Sequence, residues 1–115
     1  MDSSLVLNLL GAAITAGLGV MGLVRPAAAA AFTSLQPRGL LGVSEIRATY
    51  GGFFLALGAF ALYSQATIAF GVLGAAWIGA AVGRLVSVAV DRSYAPKNLG
   101  GVVFEAGIGF LLLTP

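Results

Sequence analysis

The chain contains no cysteine and no histidine. Their absence removes disulfides, thiolate chemistry, haem or zinc ligation through those side chains, and the usual dyads and triads of nucleophilic catalysis. Charge is almost as scarce, since only 9% of the 115 residues ionise, six of them Lys or Arg and four Asp or Glu. The pI is near 9.5, but the cations are scattered and form no patch that could track a phosphate backbone, so nucleic acid is not an expected partner. No metal or cofactor is expected, and the protein is expected not to be an enzyme. What the chain does hold is apolar: 59% of residues are hydrophobic and the mean hydropathy is +1.02. That balance leaves too little polar surface to coat a soluble globule and points to a membrane protein. A bilayer-crossing helix takes about 20 residues, so four would use most of the chain and exclude a large extramembrane domain.

The apolar runs predict an all-α polytopic membrane protein: a single domain, 1–115, forming a four-transmembrane-helix bundle with spans near 4–24, 45–63, 66–90 and 98–113. The first run carries Asp2 ahead of it rather than a basic segment, so it reads as a retained span and not as a signal peptide. Arg25-Pro26 ends it. Pro26 suits the first turn of a new helix, and the alanines through Phe32 predict a short interfacial helix after the first span. Pro37, Gly39 and Gly42 then break periodicity before Ser44, which offers an N-cap to the second span. Ser64 and Gln65 turn the chain into a third span that would reach roughly 37 Å and must tilt or project. Arg25, Arg38, Arg92 and Lys97 occupy the first and third connections, while the second connection holds no cation. Positive-inside bias therefore predicts a bacterial inner-membrane protein with both termini on the periplasmic side.

Four ionisable residues stand in or beside segments that belong in lipid: Glu45, Arg47, Arg84 and Glu105. An ionised group at mid-bilayer costs a few kcal/mol or more and needs a partner. Arg84 falls roughly 27 Å along the third span and Glu105 roughly 10 Å into the fourth, which puts both in the cytoplasmic part of the membrane with Glu45 and Arg47. Arg84, Ser87 and Asp91 share one helical face, so Asp91 can neutralise Arg84 or leave it for Glu105, and Tyr50 shares a face with Arg47. The spacing predicts an intramembrane charge cluster of Glu45, Arg47, Tyr50, Arg84, Asp91 and Glu105. Its bland role is an interhelical clasp fixing register; its sharper role is a ligand-binding or proton-carrying site.

Small residues recur at i+4 steps. The third span carries Gly71, Ala75, Gly79, Gly83 and Ser87, the second Ala48, Gly52 and Ala56, the first Gly11, Thr15 and Gly19, and the fourth Gly101 and Gly109. Each stripe lets another backbone approach closely, most simply within the bundle and alternatively against another membrane protein. Phe53, Phe54, Phe60, Phe70, Trp77 and Phe110 are then left to face lipid or a partner, with core packing the commoner fate for Trp77 near mid-span.

The stretch Glu45-Ile46-Arg47-Ala48-Thr49-Tyr50-Gly51-Gly52, the run Gly83-Arg84-Leu85-Val86-Ser87 with Asp91 after it, and Glu105 alone in the last span resemble the pattern of the domain of unknown function 4345 family. The resemblance extends over nearly the whole chain and implies a small four-span bacterial membrane protein with shared charged positions at Glu45, Arg47, Arg84, Asp91 and Glu105. It implies no activity, and the alanine-rich segment Ala27 to Ala31 departs from it. The expected role is a non-catalytic accessory or scaffold subunit packing against a larger membrane complex, respiratory or photosynthetic, or against itself. The rival is a small ligand-binding or transport protein built on the charge cluster; an intramembrane enzyme using Glu105 and Tyr50 is remote.

Overall fold

In the computed structural model, which describes residues 2–115, the chain is helical almost throughout. The elements are α1 (Ser3–Val24), α2 (Pro26–Thr33), α3 (Gly39–Glu45), a π-helical segment (Ile46–Phe53), α4 (Phe54–Ser64), α5 (Thr67–Val90) and α6 (Pro96–Leu113). Three stretches, Ser3–Val24, Gly39–Ser64 and Thr67–Asp91, are long and apolar enough to cross a membrane. The chain divides into two compact units, one of Ala12–Ser64 and one joining the segment through Gly11 to Gln65–Pro115.

In the unit formed by Ala12–Ser64, the later part of α1 runs antiparallel to the continuous helix Gly39–Ser64. Glycines set the spacing. A Cβ on Gly58 would stand 2.5 Å from the Ala16 nitrogen, and one on Gly51 would stand 2.7 Å from the Leu23 nitrogen. Gly19 and Gly22 meet the backbone of Leu55 and Tyr50 more closely still. Such contacts let two helix backbones approach closely and gain dispersion energy. The break after Val24 follows from Pro26, whose ring would clash in a continuing helix. It sits at the start of α2, where the missing N–H is harmless. Ala29 and Ala30 of α2 are buried on Ile46, with Met21 and Tyr50 packed around them. Ser34 closes α2 in the left-handed conformation (φ 61°). There its N–H reaches the Ala31 carbonyl and that of Leu35 the Ala30 carbonyl, a Schellman ending.

The second long helix starts at Gly39, not after Ser44 as expected. Gly39 itself has φ +57° and turns the chain, but Gly42 lies inside the helix, where a Cβ would stand 2.8 Å from the Pro37 carbonyl carbon. The glycine read as a breaker is therefore a contact point. Its small-residue stripe is also corrected: Ala48 and Ala56 are exposed, and Gly51, Gly58 and Ala61 are buried instead. The cause is the π segment, whose i→i+5 turns shift the register on which an i+4 projection depends.

In the other unit α5 and α6 form an antiparallel hairpin, and the start of α1 lies against the end of α6. Side chains here enter notches left by glycine. Ile78 meets Gly109, Leu112 and Leu113 meet Gly74, and Leu112 also meets Gly11. Phe70, Leu73, Trp77 and Ala81 complete the buried face of α5. Trp77 stacks edge-on to Phe104, ring centroids 6.2 Å apart. The stripe Gly71, Ala75, Gly79, Gly83 and Ser87 is thus not the face that packs on α6. Nothing lies within 4 Å of a Cβ at Gly71, Gly79 or Gly83, because the hairpin buries the neighbouring face, where large side chains fill α6's own notches. Phe70, expected to look outward, is buried, and Trp77 is packed in the core, the commoner fate for it, whereas Phe53, Phe60 and Phe110 are exposed.

Candidate functional site

Arg84 on α5 and Glu105 on α6 meet across the hairpin. The guanidinium donates from Nε to Glu105 Oε1 and from Nη2 to Glu105 Oε2, both at 2.8 Å, so one fork engages both carboxylate oxygens. Glu105 is well buried, its side chain 11% accessible, while that of Arg84 is 37% accessible. Nη1 of Arg84 donates to Asn98 Oδ1 at 2.9 Å, and Asn98 Nδ2 donates to the Ser93 carbonyl and hydroxyl. The bridge is therefore tied to the loop that joins the two helices. Gly101 is the local reason it fits: a Cβ there would stand 2.9 Å from Arg84 Nε. The side chain crosses the α6 surface where no Cβ obstructs it.

The other expected members of the cluster have separate fates. Asp91 accepts a 2.7 Å hydrogen bond from the Ser87 hydroxyl, one turn back on α5, and takes no part in the Arg84 fork. Arg47 and Tyr50 belong to the Ala12–Ser64 unit, where Arg47 Nη1 donates to the Leu23 carbonyl at the end of α1. That carbonyl belongs to the helix's unpaired last turn, and a cation there also opposes the negative end of the helix dipole. Tyr50 packs on Phe54, ring centroids 5.8 Å apart. Glu45 is exposed at the end of α3. Of the six residues, the structure joins Arg84 to Glu105.

Two amides escaped the sequence reading. Asn98, the first residue of the expected fourth span, carried no expected role; from the first turn of α6 it links the ion pair to the loop. Asn8 stands in the first apolar run, and it is buried. Its Nδ2 donates to the carbonyls of Leu111, Leu112 and Thr114 at 2.8 to 3.2 Å, capping the end of α6. The available signal was an amide inside an otherwise apolar run, whose donors need acceptors once it is buried.

Chemically, the Arg84–Glu105 arrangement locks two helices. Both oxygens of the carboxylate are held by one permanently charged fork. A cleft of about 230 Å³ lies elsewhere in this unit, lined by Leu7, Phe110, Leu113, Thr114 and Pro115, and includes none of the charged residues. Among the described residues no group of three or more acidic side chains is placed to hold a metal ion.

The chain belongs to the family described as Domain of unknown function (DUF4345), which matches residues 4–114. No curated protein and no solved structure matches it significantly.

Proposed function

We propose that this member of the DUF4345 family is a non-catalytic, four-span protein of a bacterial cytoplasmic membrane, with both termini on the periplasmic side. Its role is that of an accessory or scaffold subunit. It docks α5 against a helix of a larger membrane assembly, respiratory or photosynthetic in kind, or against a second copy. The fourth span is α6, whose 18 residues extend roughly 27 Å, close to a hydrocarbon thickness of about 30 Å. Its one acid within lipid, Glu105, is neutralised by Arg84.

The observation that carries the docking role is the outward face of α5. Gly71, Gly79 and Gly83 have open space where a Cβ would be, and Ile68, Val72, Val82 and Val86 beside them are exposed. A helix that presents glycines to lipid gives up packing energy and helix propensity, a loss recovered when another backbone closes on that face. Purification in mild detergent followed by native mass measurement tests this. Stoichiometric recovery with a larger complex, or as a dimer, is expected; a monomer that retains a tightly held metabolite would favour the ligand-binding alternative instead.

A further inference from the structure

We infer that the corner formed by α2, α3 and the connection between them is a recognition surface for anionic phospholipid, an assignment that rests on the membrane reading above. Its charge is one-sided: Arg25, Arg38 and Arg47 face a single carboxylate, Glu45, in the whole Ala12–Ser64 unit. Arg47 is spent on the Leu23 carbonyl. Arg25, two residues beyond that carbonyl, and Arg38, ahead of Gly39, are exposed, and among the described residues neither side chain makes an ion pair or a hydrogen bond. Apolar residues next to them are exposed as well, Leu40 at 87%, Leu41 at 75% and Leu35 at 43%.

These side chains are not loosely hung. Ala29 and Ala30 are buried on Ile46, which anchors α2, and Gly42 lies against Pro37, which anchors the connection to the start of α3. The backbone is anchored while the cationic and apolar side chains it carries are exposed. In water such a ridge would be a liability, and a purely anionic solute would use only its arginines. A phospholipid with a net negative head group satisfies both halves: phosphate oxygens accept from the guanidinium groups, and the acyl region receives Leu35, Leu40 and Leu41.

The test uses the full chain reconstituted in phosphatidylcholine discs with and without phosphatidylglycerol, with native mass spectrometry of retained lipid as readout. Preferential retention of phosphatidylglycerol is expected, falling roughly five-fold for each arginine replaced in R25Q, R38Q and the double variant. R38K should keep most of the preference, which separates loss of charge from loss of fold. Replacing both leucines with serine (L40S, L41S) should weaken retention without altering charge, and inorganic phosphate should not displace the lipid. Equal retention of the two lipids, or an unchanged preference in the double arginine variant, would overturn the inference while leaving membrane insertion intact. Full displacement by inorganic phosphate with no effect of the leucine variants would assign the arginines to a small anion and overturn it too. Extraction of the chain into detergent-free buffer would overturn the membrane reading itself, and this inference with it.

Discussion

The two helix pairs of this protein solve the same problem by different means. In the Ala12–Ser64 unit, α1 and the helix Gly39–Ser64 are drawn together by absence: Gly19, Gly22, Gly51 and Gly58 leave room for backbone to touch backbone. In the α5–α6 hairpin, glycines receive side chains instead, and an ion pair with a third polar partner fixes the register. The two arginines show the contrast most clearly. Arg84 is matched by a buried carboxylate, while Arg47 is matched by a backbone carbonyl at a helix end. Removing Arg84 therefore strands a charge, whereas removing Arg47 strands only a dipole.

The largest effect should come from Arg84→Ala, which leaves the Glu105 carboxylate buried without its counter-ion. A loss of about 3 kcal/mol is expected, at the lower end for broken buried pairs because Arg84 itself is partly accessible. It is measured by denaturant unfolding in detergent. Exchanging both charges should restore part of that loss, and strictly additive single losses would break the distinction between the two units. Next in size is Gly58→Ala, where a methyl group would meet the Ala16 backbone and cost about 1–3 kcal/mol. Its counterpart Gly79→Ala meets open space and should be neutral or stabilise the isolated chain by up to about 1 kcal/mol through helix propensity. If the two alanines act alike, the division into inner and outer glycines fails. The smallest effect belongs to Arg47→Met, about 1 kcal/mol, since a helix-end carbonyl near the surface finds other donors.

Much of this was legible in the residues and some was not, for identifiable reasons. Proline and charge mark helix ends well: Val24 before Arg25-Pro26 and Val90 before Asp91 are where the helices stop. Arg84 and Glu105 were conspicuous because an ion inside an apolar run must be neutralised. Which acid would serve Arg84 was not legible, since Asp91 lies on the same helical face; the fork geometry and Gly101 decide for Glu105. The start of the second long helix was misplaced because Gly42 looks the same in sequence whether it ends a helix or admits a neighbour. The second helix's stripe was misassigned because a π turn is invisible to a 3.6-residue projection. The α5 stripe was correct as a pattern and mistaken as an inner face, because periodicity identifies a face without saying what covers it.

What covers that face is the question on which the proposed role depends, and the chain's lack of cysteine makes it directly accessible. A single thiol introduced as Gly79→Cys, carrying a photo-activated cross-linker and illuminated in native membranes, should give a discrete adduct of higher mass. The same probe at Phe60, an exposed position on α4, should give none. A discrete adduct at 79 alone is the predicted result; unmodified chain at both positions, or the same diffuse labelling at both, would contradict docking through α5.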